Sequence, residues 1–148
     1  MKRLALCVTL LMVTAAAAAV TASAAPGGAK VGLRRTADGM ILVNSSGFTL
    51  YAFTRDAKNV DNCMKDAQCI KFWPPLTTTG KPVAGPGTKA RLLGTIPYRG
   101  ARRQVTYAGH PLYTFADDSS PGSTEYVNVS ASGGRWPAMD AAGHEVTG

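Results

Sequence analysis

The sequence predicts an all-β protein in which two tandem β-hairpin or meander repeats pack into one compact, pseudo-symmetric domain. First, GFTLYAFTRD at Gly47–Asp56 returns as the near-copy GHPLYTFADD at Gly109–Asp118, 62 residues later. Second, strand-forming residues flank turn residues in both copies, which is the pattern of a β-hairpin. Third, no amphipathic helix pattern follows the N-terminal apolar run, and only a short helical turn is expected, at Asn59–Cys69.

The first 24 residues have the layout of a secretory signal peptide. Two basic residues precede the apolar run Leu4–Val20, and Ala22-Ser23-Ala24 offers an A-x-A cleavage site. We therefore assign residues 1–24 to a signal peptide, in preference to a retained membrane anchor. The protein is expected to be exported, either periplasmic or secreted, with no retained transmembrane helix. Residues 25–38 are expected to form a flexible N-terminal segment.

The charge is unevenly distributed along the chain. The net charge of +7 falls to +5 when the two basic residues of the signal leave. Six basic residues and no acidic one lie within Lys81–Arg103, whereas five acids and a single Arg follow from Gln104 onward. Such a basic run is either a solvated face or a binding surface. Arg99, Arg102 and Arg103 are the candidate residues for binding an anionic envelope component, and no nucleic-acid partner is expected.

Two cysteines remain after the signal, Cys63 and Cys69, with five residues between them. In an oxidising compartment two cysteines this close in sequence are expected to form a disulfide bond. The closed loop is short, so its entropic stabilisation is small and its role is to hold one irregular segment. The alternative is a thiol metal or redox site, which the absence of a Cys-x-x-Cys spacing and of a nearby His disfavours.

Each repeat begins with a hairpin and continues to a Trp-Pro pair. We assign β repeat 1 to residues 39–88 and β repeat 2 to residues 89–148. One residue is inserted after the motif, so that Trp73-Pro74 matches Trp136-Pro137. A third strand is predicted around each Trp, ending where the Pro removes a ladder donor. A final strand is predicted near the end of each repeat, and Lys81–Thr88 is interpreted as a Pro/Gly linker.

The repeated motif places two aromatic residues and one carboxylate in each copy. On a strand the Tyr and the Phe share one face. They either pack in a core or line an aromatic cleft between the repeats. Each Asp either holds a turn through backbone hydrogen bonds or joins its counterpart as a cation site or acid–base pair. The motif residues are Tyr51, Phe53, Asp56, Tyr113, Phe115 and Asp118.

Metal binding and catalysis have little support in the sequence. His110 and His144 occur only in the second repeat, and no metal-ligand spacing such as His-x3-His is present. The weak candidates for a metal are His110, Asp117 and Asp118. The chain has no G-x-S-x-G elbow and no phosphate loop. We therefore predict no enzymatic activity and no cofactor.

Together these motifs resemble one protein family. YAFTRD and YTFADD both fit Tyr-x-(Phe/Trp/Tyr)-x-x-Asp, and ILVNSSGFTLY, the cysteine pair with WPP, RRQVTYAGHPLYTF and SSPGST also match. The chain resembles the bacterial "secreted repeat" family, described as predicted lipoproteins. The resemblance implies an exported envelope protein of uncharacterised biochemical role. Lipid anchoring is not expected, because Leu6 precedes Cys7 where a lipobox has a small residue.

The resulting hypothesis is an exported, non-catalytic β-repeat protein that binds an envelope component, with an anionic small molecule, polymer or protein as the expected partner. The alternative is a metal-binding or redox accessory protein of the envelope. The oligomeric state stays open at this point.

Overall fold

The computed structural model describes residues 27–148, so the predicted signal peptide lies outside the described residues. This part of the chain consists of short strands with one short α-helix, which confirms the predicted all-β class. The strands are β1 (Lys30–Thr36), β2 (Gly39–Val43), β3 (Thr77–Thr78), β4 (Val83–Ala84), β5 (Leu93–Pro97), β6 (Arg103–Tyr107), β7 (His110–Pro111), β8 (Val129–Ala131), β9 (Gly134–Trp136), β10 (Ala138–Met139) and β11 (Glu145–Val146). Helix α1 spans Ala67–Phe72, and 3-10 turns lie at Cys63–Lys65 and Ala90–Leu92.

Strand β1 corrects the expectation of a flexible segment at 25–38 for its residues Lys30–Thr36. β1 pairs antiparallel with β2 from Gly32 opposite Val43 to Thr36 opposite Gly39. It also pairs in parallel with β4, so that β1 is the central strand of the sheet β2-β1-β4. The adjacent Arg34 and Arg35 interrupt the hydrophobic alternation, so the local sequence pattern does not predict this strand. The first repeat therefore starts with a strand that the motif alignment does not include.

The corresponding hairpin of the second repeat is formed by β5 and β6, which pair antiparallel. β6 turns directly into β7 through Ala108 and Gly109, whose φ angles are +52° and +88°. A two-residue hairpin with positive φ at both turn positions matches the right-handed twist of its strands. Glycine supplies this conformation without steric cost, and its counterpart Gly47 in the first repeat also has a positive φ, +85°. The repeated glycine of the motif is thus a turn residue.

Two predicted features of the first repeat differ in the structure. Trp73 does not lie in a strand: it ends α1, while Trp136 lies in β9 as predicted. The helix forms here because Asp66 caps it, accepting a hydrogen bond from the backbone N–H of Gln68. The predicted linker Lys81–Thr88 contains β4, which adds an edge to the first sheet.

The two repeats exchange backbone hydrogen bonds across an approximate two-fold relation. The N–H of Tyr51 donates to the carbonyl oxygen of Tyr113 at 2.9 Å, and the N–H of Tyr113 donates to Tyr51 at 3.0 Å. The next donors of each motif strand reach the other repeat's Trp-Pro segment: Ala52 N–H to Pro137 at 2.9 Å and Thr114 N–H to Pro74 at 3.0 Å. Each motif strand therefore completes the other repeat, and neither repeat is an independent unit.

The alternation of the motif strands places one hydrophobic cluster on each side of them. Leu50, Ala52 and Leu112 point into an aliphatic core, which also contains residues such as Val31 and Met139. On the opposite side lies an aromatic core, formed by the buried residues Tyr51, Phe53, Cys63, Cys69, Trp73, Tyr113 and Trp136. Both faces are covered, because both faces of the motif strands are apolar.

Replacing Trp73 with Ala is expected to destabilise the protein by about 3–5 kcal/mol, because the side chain is 1% exposed and packs against the other repeat. The free energy of unfolding in urea measures this change. Val60→Ala is the control, since Val60 is 44% exposed and should cost less than about 0.5 kcal/mol. Equal losses in the two variants would contradict the assignment of Trp73 to the core.

Candidate functional site

Five aromatic side chains form one continuous stack through the aromatic core. The central pair, Trp73 and Trp136, is parallel, with ring centroids 4.0 Å apart and an interplanar angle of 2°. Phe53 lies beyond Trp136 at 4.2 Å and nearly parallel to it, at 10°, and Phe115 lies beyond Trp73 at 4.3 Å with its plane tilted by 37°. Tyr126 follows Phe115 at 4.2 Å, with its ring plane tilted by 47°. Tyr126 has no counterpart at the Phe53 end among these ring pairs, so the approximate symmetry of the stack ends there.

Each motif Tyr is hydrogen-bonded to the motif Asp of the other repeat. The hydroxyl of Tyr113 donates to Oδ2 of Asp56 at 2.7 Å. The hydroxyl of Tyr51 donates to the carboxylate of Asp118, at 3.1 and 3.2 Å from its two oxygens. Asp56 also accepts from the backbone N–H of Asn62 at 2.7 Å, which holds the following loop. The motif carboxylates therefore lock the two repeats together, and Asp56 holds a loop in addition.

Burial shifts the titration of all four groups. Desolvation raises the pKa of Asp56 to about 6 and that of Asp118 to about 6, although the hydrogen bonds from the tyrosines oppose this shift. Desolvation also raises the pKa of Tyr51 and of Tyr113 well above the usual value, and the nearby carboxylates add to the effect. The tyrosines are therefore neutral donors, and each aspartate changes charge within a mildly acidic range.

The two ends of the stack differ. At one end the backbone of Gly134 packs directly on the Phe53 ring: a Cβ on this glycine would lie 2.6 Å from Cε2 of Phe53. At the other end Phe115 and Tyr126 are only partly buried and Phe72 is 40% exposed. They border a cavity of about 420 Å³, here called the aromatic cleft, lined by Gln68, Phe72, Trp73, Phe115, Asp117, Tyr126, Val129, Ala131 and Ser132. A cleft of this volume is within the range of small-molecule sites, roughly 300–1,000 Å³.

The walls of the aromatic cleft come from both repeats. Helix α1 supplies Gln68 and Phe72, and the disulfide bond between Cys63 and Cys69 fixes the start of this helix against the aromatic core. The opposite wall is the β8–β9 hairpin, which carries Val129 and Ala131. Helix α1 and the β8–β9 hairpin thus form two walls of the cleft, whereas Phe115, Asp117 and Tyr126 come from the irregular segment between β7 and β8.

The basic candidates lie elsewhere, on the β5–β6 hairpin. Arg99, Arg102 and Arg103 are all exposed at or beside its tip. The Arg103 guanidinium donates to the hydroxyl of Thr95 at 2.7 Å and to its carbonyl oxygen at 3.2 Å. Lys81 and Arg103 also line a groove of about 400 Å³. Within residues 27–148 the ion pair found is His144 with Asp140 at 3.5 Å, so no acidic side chain pairs with this basic hairpin.

The weak metal candidates are not assembled into a coordination site. His110 lies in β7 opposite Tyr107, whereas Asp117 borders the aromatic cleft and Asp118 accepts the Tyr51 hydroxyl. Over the described range 27–148, no group of three or more His, Cys, Asp or Glu side chains is arranged to hold a metal ion.

Phe72 and Tyr126 are aromatic cleft residues that the sequence interpretation missed. The motif suggested an aromatic cleft between the repeats, but its Tyr51 and Tyr113 are fully buried. A usable signal exists in the alignment, because Phe72 directly precedes Trp73 whereas Arg135 precedes Trp136. An aromatic residue present in one copy only is not needed for the shared fold, and it is therefore a candidate for function.

The fold and its reciprocal motif contacts define an intertwined tandem β-repeat protein. The chain belongs to the family described as a secreted repeat of unknown function, whose sequence model matches residues 32–77 and 100–140. The two matched segments correspond to the two repeats and confirm the family predicted from the motifs. No curated protein and no solved structure matches the chain. In the described part of the chain, no helix has the length and apolar character needed to cross a membrane.

The partly buried carboxyl of Asp118 makes stability depend on pH. Because its pKa is raised from 3.8 to about 6, the folded protein binds this proton more tightly than the unfolded chain. Its contribution to the free energy of unfolding is therefore fully present below pH 3.8 and is lost as the pH rises through about 6. Asp118→Asn has no carboxyl at this position, so its stability lacks this pH dependence. As the pH rises through this window, the wild type should therefore lose free energy of unfolding relative to the variant.

Urea unfolding of both proteins at several pH values between about 4 and 7 measures this difference. Glu145→Gln serves as the control, because Glu145 is exposed. The difference in free energy of unfolding between this variant and the wild type should stay nearly constant over the same pH range. A constant difference for Asp118→Asn as well would show that the carboxyl is not perturbed by folding.

Proposed function

We propose that the protein is an exported, non-catalytic binding module whose ligand site is the aromatic cleft. The observation that carries the proposal is the asymmetry of the aromatic stack. Its Phe53 end is covered by Gly134, while its Phe115 end opens into a cavity of about 420 Å³. Export is supported by the signal-peptide pattern of residues 1–24 and by the family description.

Packing alone does not account for the residues at this end. Phe72 is 40% exposed beside the buried Trp73. Partly exposed aromatic faces on a rigid frame bury a large apolar area when a ligand stacks on them. Gln68, Asp117 and Ser132 add a few polar groups at the border, which is the usual composition of a small-molecule site.

Titrating the ¹⁵N-labelled protein with indole, phenol and a methyl hexopyranoside tests this proposal. At least one of these neutral ring compounds is expected to shift the amide signals of Gln68, Phe115 and Ser132, and Tyr126→Ala should reduce the effect at least fivefold. Tyr98→Ala is the matched control, because Tyr98 is a partly buried tyrosine on the basic hairpin, away from the cleft. Failure of all three compounds to bind at the cleft would refute the proposal.

A second candidate function is binding of a polyanion by the β5–β6 hairpin. It is favoured by the exposed side chains of Arg99, Arg102 and Arg103, with which no acidic side chain in residues 27–148 pairs. Exposed unpaired bases attract polyanions through long-range electrostatics that salt screens. This candidate takes second place because exposed basic residues are equally expected on a solvated face.

Replacing Arg99, Arg102 and Arg103 with Ser should abolish binding of inorganic polyphosphate at low salt while the thermal unfolding midpoint changes little. Replacing the exposed Lys58, Lys65 and Lys71 with Ser gives a control with the same net charge. If both triple variants lose binding equally, the attraction depends on net charge and the hairpin is only a solvated face.

A further inference from the structure

The N-terminal end of the described chain lies beside the basic β5–β6 hairpin. The backbone N–H of Ala29 donates to Oγ1 of Thr78 at 3.0 Å, and Thr78 is paired with Arg103 across β3 and β6. Gly28 packs directly on the backbone of Lys81, because a Cβ on this glycine would overlap the Lys81 carbonyl oxygen. Lys81 and Arg103 also border the same groove, and both are exposed. The chain therefore enters the folded domain next to two exposed basic residues.

This side of the molecule is basic and has no acidic residue nearby in the sequence. Arg99 and Arg102 are exposed in the turn that connects β5 to β6, where the N–H of Arg102 donates to the carbonyl oxygen of Arg99 at 3.0 Å. No Asp or Glu occurs between Asp66 and Asp117, the part of the sequence that contains β3 to β7. The basic face is defined here as Lys81, Arg99, Arg102 and Arg103.

The side chains of the basic face suit the surface of an anionic lipid bilayer. Lys and Arg are attracted by the negative potential of such a surface within about a Debye length, roughly 8–10 Å. Tyr98 lies partly buried on the same hairpin, with Cζ of Arg99 5.4 Å from the centroid of its ring. Tyrosine is enriched at the membrane–water interface, where both its ring and its hydroxyl are accommodated. A soluble polyanion such as polyphosphate has no apolar part on which this ring could pack.

The length of chain between the basic face and the predicted signal peptide points to the same partner. Residues 25–27 alone separate the predicted cleavage site after Ala24 from Gly28. Four residues of fully extended chain span at most about 14 Å. The apolar run of a signal peptide lies in the membrane during export. A domain that folds before cleavage is therefore held with its basic face close to the bilayer surface.

We propose that the basic face docks on the surface of an anionic lipid bilayer and holds the exported domain there as a peripheral protein. The proposal rests on the second candidate function, because it uses the same hairpin, and it names a membrane in place of a soluble polyanion as the partner. None of the four residues of the basic face lines the aromatic cleft, so docking and ligand binding at the cleft are separate properties.

Co-sedimentation of the exported protein, purified after cleavage of the signal peptide, with sucrose-loaded vesicles measures this docking. At low salt, vesicles with about 30% phosphatidylglycerol should bind at least tenfold more strongly than vesicles of phosphatidylcholine alone, and about 0.5 M NaCl should remove the difference. Replacing Lys81, Arg99 and Arg102 with Ser should weaken binding at least tenfold without changing the thermal unfolding midpoint. Arg103 is left in place because it is hydrogen-bonded to Thr95.

The matched control replaces the exposed Lys58, Lys65 and Lys71 with Ser, which gives the same net charge and should weaken vesicle binding less than twofold. The orientation is measured on anionic bicelles that contain lipids with a nitroxide in the head group. The nitroxide should broaden the ¹⁵N-resolved amide signals of Gly28 and Arg102 most strongly, and that of Gln68 at the aromatic cleft least.

Equal losses of vesicle binding in the two triple variants, or broadening centred away from the basic face, would overturn the proposal. Binding of inorganic polyphosphate without binding to anionic vesicles would also overturn it, while leaving the second candidate function in place. If neither polyphosphate nor anionic vesicles bind, both are wrong and the basic face is only solvated. Vesicle binding that is lost in the first triple variant and kept in the control would support the membrane as partner.

Discussion

Tyr51 and Tyr113 exchange two backbone hydrogen bonds, and this contact sets the geometry of the whole domain. It brings the two motif strands side by side, so that the tryptophan after each strand meets its counterpart in a parallel stack at 4.0 Å. It also explains the spacing of the motif: two residues after Tyr51, Phe53 lies on the same face and reaches the stack. The aspartate that follows accepts the phenol of the opposite repeat. The motif residues therefore hold the two repeats together.

Much of this architecture could be read from local sequence. Repetition predicts two similar halves, the turn around Gly109 predicts a hairpin, and strand alternation places Leu50 and Tyr51 on opposite faces, as in the structure. These predictions succeed because they depend on neighbours within a few residues, where the two-residue period of a strand applies. The choice between a core and a cleft for the motif aromatic residues needed the structure, which places Tyr51 and Tyr113 at zero exposure.

Most of the features that were mispredicted depend on contacts between distant segments, and the helix before Trp73, whose cap is local, is the exception. β1 has an interrupted pattern and is stabilised by pairing with β2 and, across some fifty residues, with β4. The segment before Trp73 becomes a helix, although its counterpart before Trp136 is a strand, because Asp66 caps it. The exchange of partners between repeats has no local signature at all. The same limit applies to the aromatic cleft, whose walls come from α1 and from the β8–β9 hairpin.

The reciprocal contacts also constrain how the two copies can diverge. The tyrosine hydroxyl of each copy donates to the aspartate of the other, so a substitution at either position removes a hydrogen bond from the opposite half of the molecule. A lone copy would leave its tryptophan and tyrosine unmatched, and it would need a second chain to complete the same set of contacts. The arrangement is that of a two-fold symmetric homodimer contained in one polypeptide. Because the two copies are encoded separately, the loops at the two ends of the stack can differ in sequence, whereas the reciprocal contacts at its centre require the same residues in both copies.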